Sequence, residues 1–206
     1  MGYHRAGFDV VGVDIEDQKN YPFEFIHCDA IRILSYLADD AEPFPGAPWF
    51  DAVHASPPCQ DHIRGGMRGN HGTGWMLPAS RFYLQQQPRP WVIENVPGAT
   101  MRADYVLCGC TFGLPGLRRP RWFETSWNGF DFRTPCHHTG RAVTVAGHGA
   151  QGSWEYVDGV APTQEDRRRA MGIDWMNRDE LAEAIPPAFA ECIGGQLLEQ
   201  LAAVTP

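Results

Sequence analysis

The sequence predicts an α/β fold with a mostly parallel sheet and helices on both faces. Three observations carry this. Short apolar runs of strand length occur at 9–14, 49–55 and 90–94. Stretches able to form helices, 30–37 and 76–87, lie between them. Each apolar run ends on a polar residue, as strands do when their carboxyl ends face a ligand.

Asp9-Val10-Val11-Gly12-Val13-Asp14 reads as a buried strand ending in an acid. Trp49 to Ala55 reads as a second strand, stopped by Pro57 and Pro58, which cannot donate to a ladder. Pro90-Trp91-Val92-Ile93-Glu94 reads as a third, followed by Asn95. Segment 65–74 holds five glycines and is a loop. From 98 to 160 glycine, proline, arginine and aromatics mix, with short strand-like pieces at 121–124 and 142–146. Thr163 is a good N-cap for a helix over 164–171, with Asp166 in its first turn. A final helix follows Pro186-Pro187 and runs to about Ala203, with Ile193, Leu197, Leu198 and Leu201 on one face. No repeat or interdomain linker interrupts the chain, so the expectation is one domain over 1–206.

With 206 residues, 43% of them apolar and 20% charged, the chain can bury a full core. No apolar run is long enough to span a bilayer, and the first residues lack the apolar stretch of a signal peptide. A cytoplasmic protein without membrane partners is therefore the default expectation. Six cysteines without a CxxC pair do not suggest a disulfide scaffold. The net charge of −8 argues against a nucleic-acid partner, but its distribution argues the other way. Residues 61–150 carry ten arginines and five acids, while both flanks are acidic. Arginine is the residue best suited to bidentate phosphate and base contacts. A solvated basic surface is the plainer reading of the same arginines.

Asp14, the Ser56-Pro57-Pro58-Cys59-Gln60 turn and Glu94-Asn95 all follow expected strands at one sheet edge, and Asp29 follows the short apolar piece Phe25-Ile26. One edge thus gathers a thiol and several carboxylates. Pro57-Pro58-Cys59-Gln60 followed by Glu94-Asn95-Val96 resembles the catalytic pair of the DNA cytosine-5 methyltransferases. Arg119-Pro120-Arg121 is similar to that family's paired arginines. Thr163 to Ile173 resembles its late threonine–glutamate–arginine–glycine segment, and Ile185-Pro186-Pro187 its closing motif. The elements stand in the family's order over nearly the whole chain, which is most similar to the short phage-type members.

The resemblance implies a Rossmann-like methyltransferase sheet that transfers a methyl group from S-adenosylmethionine to carbon 5 of cytosine in double-stranded DNA. It places the protein in a bacterial or phage-infected cell. Carbon 5 is a poor nucleophile until a thiolate adds at carbon 6, and Cys59 is the candidate thiol. Glu94 would contact ring nitrogen 3, which requires a proton on or near its carboxyl and so a pKa raised by burial. Asn95 would orient the loop. Arg119 and Arg121 would hold the cytosine carbonyl, Glu94 or a flanking phosphate; Arg118 is adjacent, and not all three can point inward. Asp14 would hold the donor's ribose, with Glu16 a weaker rival. Asp29 would hold the adenine amine, and Pro57 would line the donor site. The 65–74 segment resembles the mobile loop that closes over DNA around a flipped base, with Gln60, Arg64, Arg68 and His71 near the duplex. Residues 125–160 would be a small target-recognition region. Each residue has a plainer reading: a packed thiol, a helix-capping acid, a solvated basic turn or an ordinary surface loop.

The chain departs from the family in three places. Met1 to Phe8 resembles the helix that follows the family's Phe-x-Gly-x-Gly donor loop; the first strand and that loop are not in the sequence, so an upstream segment or a partner chain is expected to supply them. Asp61-His62-Ile63 stands where relatives carry an aromatic and a serine or threonine. Glu183 stands where the closing motif has asparagine. Two other functions stay open: a catalytically inactive DNA-binding or regulatory homologue, and another cysteine-dependent pyrimidine-modifying transferase. Cys108, Cys110, Cys136, His137 and His138 could offer four metal ligands, but their spacing fits no standard zinc module. Packing cysteines, surface histidines and no metal are the expectation.

Overall fold

The computed structural model of the chain describes residues 1–41, 49–59, 72–114, 116–127, 132–133, 135–138, 142–143, 145 and 162–204. It is a mixed α/β fold. The elements run α1 (Gly2–Arg5), β1 (Val11–Asp14), β2 (Glu24–His27), α2 (Ala30–Ala38), β3 (Val53–Ala55), α3 (Met76–Leu84), β4 (Trp91–Asn95) and β5 (Tyr105–Leu107). After a 3-10 turn at Gly109–Phe112 come β6 (Arg121–Thr125), β7 (Phe132–Arg133), α4 (Gln164–Met171), α5 (Arg178–Glu183) and α6 (Pro187–Val204).

The strands form two sheets. β1 and β2 pair in parallel, and the other five run in the order β3-β4-β6-β5-β7. β3 and β4 are parallel, with Ala55 opposite Ile93. β6 is antiparallel to β4, with Phe123 opposite Glu94 and Trp122 opposite Asn95. The described pairings are thus mostly parallel, as expected, with the antiparallel β4–β6 pair making the sheet mixed. Among the described residues no ladder joins β1–β2 to the larger sheet.

The chain divides into two compact units, neither continuous in sequence. One comprises Met1–Val10, Leu107–Pro120 and Thr134–Gln196; the other comprises Val11–Val106, Arg121–Arg133 and Leu197–Pro206. The second has a core of Leu34, Leu77, Leu84, Trp91 and Ile93, built from α2, α3 and β4. The first packs Leu117, Val145, Met171, Ile173 and Leu181, built around α4 and α5.

The differences from expectation have local causes. The second strand begins at Val53 rather than Trp49. Its amide donates to the carbonyl of Pro90, and that proline has no N–H with which to extend the ladder backwards. Trp49 is instead exposed, with the Arg89 guanidinium 4.2 Å over its ring. The helix expected over 76–87 ends at Leu84, because Pro88 disfavours a helical Gln87. The Gln87 side chain bridges to the backbone of Arg89 instead. The piece at 142–146 is a single bridge, Val143 to Leu117. In α6, Ile193 and Leu197 are buried, but Leu198 is 40% exposed, one residue off the i, i+4 face. Thr163 and Asp166 form a full capping box on α4. An equal box, Asn177 with Glu180, starts the unexpected α5; its Asn-x-x-Glu spacing was there to be read.

Candidate functional site

β3 and β4 run side by side in the same direction, so their carboxyl ends share one edge. β4 is buried along its whole length. At its end Glu94 is 6% exposed and Asn95 1%. β3 leads into Ser56-Pro57-Pro58-Cys59, where two prolines fix the backbone and deny it further ladder bonds.

Asn95 ties the two strand ends together. Its side-chain N–H donates to the carbonyl of Pro57 at 2.9 Å, while its amide oxygen accepts from the Val96 N–H at 2.9 Å. The buried amide thus fixes the turn two residues before the thiol. Cys59 is half-buried and is not in a disulfide.

Arg121, the first residue of β6, places its Nε 2.9 Å from Glu94 Oε1 with both side chains largely buried. The reach is diagonal across the ladder, because Phe123 rather than Arg121 stands opposite Glu94. Glu94 is thus a buried carboxyl with a buried guanidinium beside it.

Arg119 does something else. It is 9% exposed, and its guanidinium donates to the carbonyls of Val145, Ala182 and Ala184. All four residues belong to the first unit, whereas Arg121 and Glu94 belong to the second. The two arginines that the sequence paired therefore have different partners, each within its own unit.

On β3, His54 sits 2.9 Å from the Ser56 hydroxyl, and burial pushes its pKa down to about 4. It is neutral at pH 7. Sequence reasoning also missed Glu124, buried on β6 in a bidentate pair with Arg81 of α3 at 2.8 and 2.9 Å. The visible signal was an acid inside an otherwise strand-like Arg-Trp-Phe-Glu-Thr run.

The acids of the smaller sheet carry local duties. Asp14, ending β1, accepts from the Glu16 amide at 2.8 Å and from the Gln18 side chain at 3.3 Å. Asp29 caps α2 through the Ile31 amide at 2.8 Å. A carboxylate accepts more bonds than these, so each retains capacity for a hydroxyl or amine. These are the residues that could hold the hydroxyl and amine groups of the nucleoside part of a donor such as S-adenosylmethionine. Among the described residues no glycine loop stands at a strand end to cradle the methionine part. No described residue is shaped to hold its methionine part.

Gln60, Arg64, Arg68 and His71, expected near DNA, lie outside the described residues, as do His62 and most of 125–160. No helix among the described residues is long and apolar enough to cross a membrane.

Four of the five candidate metal ligands, Cys108, Cys110, Cys136 and His138, come together. Cys108 is buried and Cys136 exposed, yet both share one cluster with Cys110 and His138.

No protein-family model and no curated protein sequence matches the chain.

Proposed function

We propose that this chain is the catalytic core of a DNA cytosine-5 methyltransferase, with Cys59 as the nucleophile. The observation that supports the reading is the shared edge of parallel β3 and β4, where Asn95 holds the turn that leads to Cys59 and Arg121 of β6 pairs with the buried Glu94. Asn95 with Pro57, and Arg121 with Glu94, join residues of motifs that lie apart in sequence. The Rossmann-like methyltransferase reading of the sheet gains support from the separation of β1–β2 from β3–β4. In the family a central strand stands between two such strand pairs.

The Cys59 thiolate adds to carbon 6 of a flipped cytosine, forming the S–C6 bond as the C5–C6 π pair moves into the ring. Glu94, held by Arg121, delivers or shares a proton at ring nitrogen 3 and so relieves the charge that addition creates. Carbon 5 is then enamine-like and takes up an electrophile. Loss of the original hydrogen from carbon 5 and expulsion of the thiolate restore the aromatic ring. S-adenosylmethionine supplies the methyl group when bound. Because the residues match only part of that donor, no step of this account depends on it.

The test follows from that independence. Addition and reversal in the absence of a donor exchange the hydrogen on carbon 5 with solvent. Duplex DNA tritiated at cytosine carbon 5 is expected to release tritium with the wild-type chain and none above background with Cys59→Ala. With donor present, duplexes containing 5-fluorocytosine should form an adduct stable to denaturation, because fluorine blocks the last elimination. Equal tritium release by the Cys59→Ala protein would remove Cys59 from the mechanism. DNA binding with neither exchange nor adduct would favour an inactive DNA-binding homologue.

A further inference from the structure

We infer that Cys108, Cys110, Cys136 and His138 form a structural zinc site in the first unit, independent of the proposed cytosine chemistry. One ligand atom from each of the four lies within 4.8 Å of every other. His138 Nε2 is 3.5 Å from the Cys108 sulfur and 3.9 Å from that of Cys110. The Cys110 thiol also hydrogen-bonds with those of Cys108 and Cys136. With zinc bonds of about 2.3 Å to sulfur and about 2.0–2.1 Å to nitrogen, tetrahedral edges are roughly 3.6 Å for S–N and 3.8 Å for S–S. The observed S–N separations match those edges before any ion is added. Three thiolates and one imidazole also form the donor set that soft, tetrahedral coordination selects.

The local sequence is shaped to make this cluster. Cys108 is the extended residue that caps the 3-10 turn after β5, and the Thr111 amide closes the turn on its carbonyl at 3.0 Å. Gly109 separates the two cysteines where a Cβ would lie 2.6 Å from the Leu117 carbonyl oxygen. Only glycine lets the turn sit that deep. The turn ends on Gly113 with φ of 64°, a left-handed cap. On the other side, Cys136 and His138 flank His137, whose backbone N–H donates to the Cys110 sulfur. An amide bond of this kind steadies a coordinated thiolate.

The chemistry explains an otherwise costly arrangement. Three thiols in mutual contact, one of them exposed, are liable to oxidise if nothing ligates them. Zinc displaces three thiol protons, giving a tetrathedral complex of net charge −1 and closing the chain between Cys110 and Cys136. All four positions are filled by protein, so the ion has no open site for a substrate and acts as a staple.

The experiment uses the full chain purified without chelator. Elemental analysis is expected to find about one zinc per chain. Replacement by cobalt should give thiolate-to-cobalt charge-transfer bands in the near ultraviolet and the intense visible bands of a tetrahedral ion. Cys136→Ser, at an exposed position, should weaken cobalt binding by at least about 100-fold, whereas Cys136→His should keep the tetrahedral spectrum and His137→Ala should match wild type. The inference is overturned by a chain without stoichiometric metal under reducing conditions. It is equally overturned by a disulfide among these cysteines in the native protein, or by unchanged cobalt affinity in a Cys110→Ser/Cys136→Ser protein.

Discussion

Arg119, just before β6, and Arg121, the first residue of β6, have only Pro120 between them. Arg119 spends its guanidinium on three backbone carbonyls of its own unit. On the strand, Arg121 reaches diagonally to a buried carboxylate at the end of β4. One arginine satisfies backbone carbonyls of its own unit, and the other pairs with an acid at a sheet edge. An Arg-Pro-Arg motif therefore describes two jobs rather than one clamp. Residue type fixes the donors, and the packed surroundings decide what they serve.

The difference can be broken most forcefully at Arg119. Arg119→Met leaves three carbonyls without their charged donor and should cost on the order of 4 kcal/mol. For a chain of this size that is a fall of roughly 10 °C in melting temperature. Cytosine exchange per folded molecule should change far less. Calorimetry beside the tritium assay checks both; a stable Arg119→Met protein that has lost exchange would return Arg119 to the chemistry.

Arg121 should show the opposite balance. Arg121→Met strands a buried carboxylate and should destabilise by about 3 kcal/mol, less where Glu94 can take up a proton. Adding Glu94→Gln should recover much of that stability while exchange stays abolished. If the two substitutions are additive in stability, the ion pair contributes no coupling and the contrast with Arg119 fails.

His54 gives the smallest and most gradual test. Its folded pKa of about 4 lies below the ordinary value of 6.5, so the unfolded chain binds the extra proton first as pH falls. The stability from keeping it neutral is complete above about pH 6.5, is lost as pH falls from there toward about 4, and changes no further below that. The imidazole is only partly shielded, so the loss should be about 1–3 kcal/mol. Denaturant titrations at pH 7 and pH 4.5 on wild type and His54→Gln measure it. The variant's pH dependence should be shallower through that window, and an identical slope would show that His54 is solvated in the native state.

Much of the site could be read from residue order because its members end strands. Pro57 and Pro58 had to stop β3, and Glu94 had to follow a run apolar enough to be buried, so Cys59 and Glu94 were placed at one edge by local rules. The capping boxes were equally local: Thr163 with Asp166 and Asn177 with Glu180 each complete their bonds within one turn. β5 was not legible, because Tyr105–Leu107 has only three residues and takes its place from the strands beside it.

The sequence by itself determined where strands and helices stop, which residues are apolar enough to be buried, and which polar types stand at the ends. Those outcomes depend on dihedral limits, missing amide donors and neighbours within about four residues. Tertiary structure alone decided the partners: Arg119 with its carbonyls, Arg121 with Glu94, Arg81 with Glu124, and the cluster of Cys108, Cys110, Cys136 and His138. A buried charge or thiol requires some partner, but which one meets it depends on segments brought together from far along the chain.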